Sequence, residues 1–170
     1  MPTEAVEPWL RGTHTDLDPM RRAVLHALEL AREDVVRWCG PLDAEALETE
    51  ALGLPSAAFQ MRHIARSLDR LMTYAEGDSL TDAQLSALRD ERLPAAGVLA
   101  EFEEGIGGAI ERLLCFHPSQ FAEARHVGRD CLSTTVAGLL IHIAEHTQRH
   151  VGQAITTAKV VAALRESQGS

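Results

Sequence analysis

Apolar residues recur every three or four positions in four long segments of the chain. This spacing places them on one face of an α-helix, because about 3.6 residues complete each turn. The predicted helices run from about residue 18 to 38, 56 to 76, 94 to 117 and 133 to 166. No segment shows the sustained alternation of apolar and polar residues that is typical of a half-buried strand. The pattern predicts an all-α protein, a four-helix bundle.

The ends of these segments carry helix start and stop signals. Asp18 followed by Pro19 is a favourable N-cap and first-turn pair, and Ser56 is a candidate N-cap for the second helix. Gly77 ends the second helix, and Pro118 breaks the third. These signals support the helix boundaries that the apolar spacing predicts.

A glycine-rich run, residues 105–108, lies inside the third predicted helix. Each glycine there costs about 1 kcal/mol of helix propensity relative to alanine. Close approach of a neighbouring helix would compensate for this cost, and a kink at the run is the alternative.

The links between the predicted helices differ in length. Residues 78–93 form a long link between the second and third helices, with a short helix expected at about 82–91. The polar stretch 117–130 joins the third and fourth helices and is long enough for a crossover between parallel helices. A chain of 170 residues suits one domain, predicted to span residues 1–170 with an ordered core at about 16–166.

Composition and charge exclude several classes of function. The net charge is −9 and no basic patch occurs, which argues against a nucleic-acid partner. No apolar stretch approaches the roughly 18 residues of a membrane span, and the N-terminus lacks the pattern of a secretory signal. Cys39, Cys115 and Cys131 are far apart and odd in number, which favours reduced thiols. We therefore expect a cytoplasmic protein without a membrane partner.

His142, His146 and His150 follow one another at four-residue intervals in the fourth predicted helix. Positions i and i+4 lie about 6 Å apart on one helix face, so two imidazoles can reach one metal ion. On a helical wheel, His150 lies within roughly 40° of the centre of the apolar stripe, His146 at about 80° and His142 at about 120°. The spacing predicts metal binding by His146 and His150. A buried pair of hydrogen-bonded core histidines is the alternative.

A stable site needs a third ligand, and the helical wheel alone does not select one. His26 lies nearly opposite the apolar stripe of the first helix and is expected to be exposed. His14 and His126 lie in polar, loop-like stretches. His117 lies at the breaking end of the third helix, and His63 lies at the edge of the stripe of the second.

Two segments of the chain resemble the DinB superfamily, the DinB/YfiT-like metal-binding four-helix bundles. MRHIARSLDRL, residues 61–71, is similar to the second-helix segment of that family with its single histidine. HIAEHTQRHVGQAI, residues 142–155, is similar to the fourth-helix pattern of two histidines followed by Gly-Gln. The resemblance implies an up-down-down-up bundle in which residues 78–93 are the long link between helices two and three.

The resemblance also implies a metal triad of His63, His146 and His150, with Gln153 as the glutamine that follows. Three histidine ligands leave coordination positions open, which is typical of catalytic rather than structural zinc sites. His142 is expected to contact one of the ligands from behind or to lie at the rim of the site, and a role as a fourth ligand is the alternative. Gln153 is the first candidate for a hydrogen bond to a ligand, and an ordinary surface glutamine is its alternative. The ion is expected to be zinc or nickel, and iron or manganese would also suit the triad.

Two functions follow from this resemblance. The first is a metal-dependent enzyme, a thiol S-transferase or hydrolase, acting on a small-molecule substrate or a low-molecular-weight thiol. The second is a non-enzymatic, stress-associated bundle that the metal braces or that senses a ligand. The general base is unassigned, and the resemblance implies a homodimer. A third hypothesis omits the metal and treats the histidines as a polar core network that would lose stability near about pH 6.

Two shorter motifs compete with the triad. His142, Glu145 and His146 spell HxxEH, the inverted zinc-protease signature, which would use Glu145 as the base. Glu145 points away from the apolar stripe, and only a short tail follows to supply a third ligand. Glu123 and His126 form a single ExxH, half of a di-iron signature, in a polar link. We favour the triad over both.

Overall fold

The computed structural model describes residues 6–168. Its helices are α1 (Pro19–Trp38), α2 (Ala44–Glu48), α3 (Ala57–Glu76), α4 (Asp82–Arg89), α5 (Val98–Cys115) and α6 (Val136–Gln168). Its strands are β1 (Ala124–Val127) and β2 (Leu132–Thr135), and short 3-10 turns lie at Pro8–Leu10 and Pro118–Gln120. The four long helices α1, α3, α5 and α6 correspond to the four helices predicted from the apolar spacing. The mostly helical fold class is therefore confirmed.

The apolar faces of the four long helices meet in one core. α3 packs against α5 and α6, and α1 packs against the same two helices. Fully buried side chains from all four helices fill the centre, among them Leu28, Met61, Leu68, Ile106 and Ile143. Burial of each such side chain stabilises the fold by about 1.5–3 kcal/mol. The core explains why the helical period persists over such long segments.

Hydrogen bonds between helices record how they run relative to one another. Between α3 and α6, Gln60 meets His150 and His63 meets His146, so the residue numbers change in opposite directions. Between α3 and α5, Arg66 pairs with Glu101 at 2.7 Å, and Asp69 pairs with Arg112 at 2.9 Å, so the numbers rise together. Residues near the start of α3 therefore lie beside the middle of α6.

The helix ends confirm the predicted capping residues. The Asp18 side chain accepts hydrogen bonds from the backbone N–H groups of Met20 and Arg21, and Pro19 occupies the first turn. The Ser56 hydroxyl accepts from the backbone N–H of Phe59. Gly77 ends α3 with a left-handed φ of 94°, which glycine adopts without a steric cost.

The glycine run belongs to an unbroken helix, since α5 continues from Val98 to Cys115. A Cβ atom added to Gly105 would lie 2.7 Å from the Cα atom of Ala65 in α3. A Cβ added to Gly108 would meet no heavy atom within 4 Å apart from the adjacent backbone of α5 itself. Close approach of α3 at Gly105 is therefore the alternative that the structure favours, and α5 is not interrupted there.

A β-hairpin extends from the polar stretch into the first residues of the predicted fourth helix, which begins only at Val136. The expectation that no strand occurs here is therefore corrected. β1 and β2 pair antiparallel, with Ala124 opposite Thr135 and Val127 opposite Leu132. Arg125 anchors β1 to the bundle, because its Nε donates to the Ala75 carbonyl oxygen at 2.7 Å. Four residues per strand are too few for alternation to stand out along the sequence.

The N-terminal segment folds back over α1, which corrects the expectation that His26 is exposed. His26 is only 6% exposed. Its Nε2 lies 3.1 Å from the Thr13 hydroxyl, and Arg11 reaches Glu33 on the next turns of α1. The helical wheel of α1 could not show that a segment outside the helix covers this face.

The long link 78–93 contains α4, which confirms the short helix predicted there. Thr81 and Gln84 form a reciprocal capping box at its start. After α4 the chain returns toward the bundle, and Glu91 is buried with 7% exposure. Across residues 6–168, no helix combines the length and apolar character that a membrane crossing requires.

Candidate metal centre

His63, His146 and His150 converge at one point between α3 and α6. One ring nitrogen from each lies within 4.8 Å of the others. The Nε2 atoms of His63 and His146 are 3.2 Å apart. Metal–nitrogen bonds of about 2.0–2.1 Å in a tetrahedral site place two nitrogens about 3.3 Å apart. The triad is therefore able to hold a transition metal ion.

Helix geometry places these rings. His146 and His150 are one turn apart on α6, so they present their rings on the same face, with centroids 4.5 Å apart. The neighbouring helix α3 brings His63 against both, with its ring centroid 4.4 Å from that of His150 and 4.9 Å from that of His146. Each histidine is partly exposed, so the site can exchange ligands with solvent.

Glu91 holds the ring of His63. The Nδ1–H of His63 donates to Glu91 Oε2 at 2.9 Å, and this assignment of the proton leaves Nε2 free toward the triad. Both terminal nitrogens of Arg70 donate to the other oxygen of Glu91 at 3.2 Å. Burial raises the pKa of Glu91, but the hydrogen bonds and positive charge of His63 and Arg70 outweigh burial and lower it overall.

Gln60 holds the ring of His150 in the same way. The Nδ1–H of His150 donates to Gln60 Oε1 at 2.7 Å, and Gln60 is only 3% exposed. A histidine that donates one N–H to a protein acceptor is fixed in tautomer and orientation, and its second nitrogen is available to a metal. Two of the three candidate ligands thus have their outward nitrogens already occupied.

The electrostatics of the site favour neutral imidazoles. Burial, followed by the charges of His150 and His63, lowers the pKa of His146 to about 3. Burial and the charge of His63 likewise lower the pKa of His150. Neutral imidazole is the form that binds a metal. His146 and His150 are thus held in the form that binds a divalent transition metal ion.

A cavity of about 490 Å³ adjoins the triad between α3 and α6. His150 and Gln60 line it together with Phe59, Arg149 and Gln153. The cavity has both apolar and polar walls, a combination that is typical of small-molecule sites. Of the triad, His150 lines this cavity, so a ligand bound there would contact that histidine.

His142 and Gln153 lie at the edge of the site. The ring of His142 is 5.5 Å from that of His146, and its Nδ1 lies 3.7 Å from a Glu145 carboxylate oxygen. Gln153 is exposed, and its side chain raises the pKa of His150 through a hydrogen bond. The side chain of Glu145 is 61% exposed, which places the base of the competing HxxEH motif outside the cluster.

The remaining histidines lie elsewhere. His117 and His126 are exposed, with His117 capping the second 3-10 turn and His126 on β1. His14 and His26 lie together against the outer face of α1, in a second cluster.

Sequence reasoning missed Glu91 and Gln60. Gln60 precedes His63 by one helical turn, so the i, i+3 spacing on α3 could have identified it. Glu91 lies in the link after α4, where no periodicity relates it to the triad. Only the path of the chain back to α3 brings its carboxylate to His63.

Comparison with known proteins agrees with this arrangement. A family model of the DinB superfamily matches residues 27–154, which is well over half of the chain and includes all three histidines of the triad. No curated protein matches the chain. By the extent of the family match, the chain belongs to the DinB superfamily.

Proposed function

We propose that the protein is a metal-dependent enzyme of the thiol S-transferase or hydrolase type. The observation that carries this proposal is the convergence of three ring nitrogens within 4.8 Å beside a cavity. A closed structural site would use four protein ligands, whereas three leave a position for water or substrate. The triad therefore suits catalysis better than bracing alone.

In this proposal His63, His146 and His150 hold the ion, while Glu91 and Gln60 orient two of the rings. A bound zinc or nickel ion, or an iron or manganese ion, lowers the pKa of a thiol or water ligand so that it becomes nucleophilic near neutral pH. Glu91 is not assigned as a general base, because His63 and Arg70 already occupy both of its oxygens.

The cavity beside His150 is the proposed place for a small-molecule substrate or low-molecular-weight thiol. Its apolar wall, with Phe59, would exclude water from the reacting groups. Arg149 supplies a positive charge at the same wall, which would favour an anionic group on the ligand. His142 and Gln153 are proposed as rim residues that contact a ligand as it enters.

We also infer the architecture around the site. The relative directions of the α3–α5 and α3–α6 contacts support the up-down-down-up order. Assembly as a homodimer is proposed from the family alone. Light scattering coupled to size exclusion would test it, since a monomer at all concentrations would contradict it.

Metal analysis of protein purified without a histidine tag tests the site. We expect about one equivalent of transition metal to depend on the triad and to be lost in His150→Ala, because two ligands hold an ion poorly. His142→Ala is the matched control and should retain the ion. Equal metal content in all three proteins would contradict the triad.

A screen of thiols and electrophiles or hydrolysable substrates then tests catalysis. We expect turnover by the metal-loaded protein and its loss in His150→Ala, whereas His126→Ala, which removes an exposed histidine on β1, should retain activity. Metal binding without any turnover would favour the non-enzymatic function. The observation that favours that alternative is that the triad and its partners join α3, α6 and the link, so an ion would brace them. The alternative expects a large fall in melting temperature on metal removal and no shift with any small molecule.

A further inference from the structure

We propose a second metal site on the outer face of α1, formed by His14, His26 and Glu29. One ligand atom from each side chain lies within 4.8 Å of the others. His14 Nε2 is 2.8 Å from Glu29 Oε1, and the rings of His14 and His26 are 5.6 Å apart. Side chains that already converge in this way need little movement to share one ion.

The donor set is that of a divalent transition metal. Two imidazoles and one carboxylate bind zinc in many proteins and leave at least one position for solvent. His26 and Glu29 are one turn apart on α1, so both face the N-terminal segment. His14 supplies the third donor from that segment.

Local structure holds the donors in place. His26 is 6% exposed, and its ring contacts the Thr13 hydroxyl at 3.1 Å. His14 has a left-handed backbone with φ of 55°, which non-glycine residues adopt rarely. The burial of His26 and the hydrogen bond of its ring to Thr13 fix the orientation of this donor before any ion binds.

Solvent can reach this cluster. A cleft of about 430 Å³ lies between the N-terminal segment and the first turns of α1, and His26 lines it. Arg22 also lines the cleft, and its positive charge would repel a bound cation. The negative carboxylate of Glu29, the one acidic member of the cluster, would offset this repulsion. The side chains of His14 and Glu29 are 36% and 25% exposed, which leaves room for a water ligand.

This site is independent of the triad. The triad uses α3 and α6, whereas the second cluster uses α1 and the segment that precedes it. His14 and His26 both lie before residue 27, where the match to the family begins. Two of the three proposed ligands therefore lie outside the matched family region, and Glu29 lies just inside it.

A metal here would fasten the N-terminal segment to the bundle. Several of the contacts that hold the segment are polar and partly exposed, such as the ion pair between Arg11 and Glu33. Exposed ion pairs contribute little, at about 0–1 kcal/mol each. An ion bridging His14 to α1 would add coordination bonds to these weak contacts.

The test is a titration with Zn²⁺, and with Co²⁺ for its visible absorption. The wild-type protein should bind about two equivalents, and Glu29→Gln about one, because an amide is a much poorer ligand than a carboxylate. In a His146→Ala/His150→Ala background, about one equivalent should remain and should disappear when His14→Ala is added. His117→Ala, which removes an exposed histidine elsewhere, should change nothing.

Circular dichroism establishes that each variant is folded. If the background variant is folded and binds no ion, the second site does not exist. If wild type and Glu29→Gln bind the same number of ions, the proposed ligand set is wrong, and this comparison does not need the triad variant to fold. Neither result bears on the triad, whose own test is loss of metal in His150→Ala. Limited proteolysis gives a second readout, since Zn²⁺ should protect the N-terminal segment of wild type but not of Glu29→Gln.

Discussion

Glu91 accepts hydrogen bonds from a candidate ligand and from an arginine at the same time. Its burial would favour a neutral carboxylic acid, yet His63 and Arg70 keep it charged. A charged acceptor forms a stronger hydrogen bond to an imidazole N–H than a neutral one, and it raises the basicity of the opposite nitrogen. The effect of this carboxylate on the site therefore acts through His63.

Replacing Glu91 with glutamine should weaken metal binding by roughly 10–100-fold. A neutral amide accepts a weaker bond from His63 and must turn its NH₂ group toward one of two donors. Competition with a chelator of known affinity measures the change. Glu101→Gln is the matched control. Glu101 of α5 pairs with Arg66 of α3, the helix that carries His63, but it does not contact the triad. Equal affinities in the two variants would contradict a positioning role for Glu91.

His146 should make the stability of the metal-free protein depend on pH. Its pKa is about 3 in the folded protein, against an ordinary value of 6.5. Between these values the unfolded chain binds the extra proton, so the free energy of unfolding should fall as pH drops below 6.5 and keep falling toward 3. The lowered pKa of His150 acts in the same direction.

Urea unfolding in the presence of a chelator, at about pH 7 and about pH 5, measures this dependence. His146→Gln should lose less stability between the two values, because glutamine does not titrate. The comparison also separates His146 from carboxylates, which are common to both proteins. Parallel pH profiles would show that His146 is not held neutral by the fold.

Among the elements, α5 and α3 approach each other closely at Gly105. Gly105→Ala should destabilise the protein by about 1–3 kcal/mol, because the added methyl group would meet the backbone of Ala65. Gly108→Ala should instead stabilise it by up to about 1 kcal/mol, since alanine has the higher helix propensity and meets open space there. Chemical denaturation measures both. Equal effects would mean that helix propensity alone governs the run.

The long helices could be predicted from the sequence because each buries one face over five or more turns. α2 and the hairpin could not, because long-range contacts decide them. Glu48 pairs with Arg62 of α3 to hold α2, and Arg125 reaches the end of α3 to hold β1. Such contacts depend on the finished bundle and leave no period in four or five residues.

For the molecule as a whole, some residues of the candidate site could be predicted from the sequence, and others depend on long-range contacts. The pairing of His146 with His150 follows from helical spacing, while His63 required the resemblance to a family. Glu91 and the burial of His26 depend on two non-helical segments that fold back onto the bundle. Neither segment has a periodic pattern that relates it to the helix it covers.

Within residues 6–168, the hydrogen bond of Glu91 with His63 connects the link 78–93 directly to the triad. If the protein binds metal more tightly when the link is ordered, then bound metal must stabilise the ordered link by the same free energy. Metal loading should therefore slow amide hydrogen exchange across the link and leave the β1–β2 hairpin unchanged. If metal loading does not change the exchange rates in the link, the link and the metal site are not coupled. If the link and the metal site are coupled, a molecule that binds the link changes the affinity for the ion without contacting any of the three histidines.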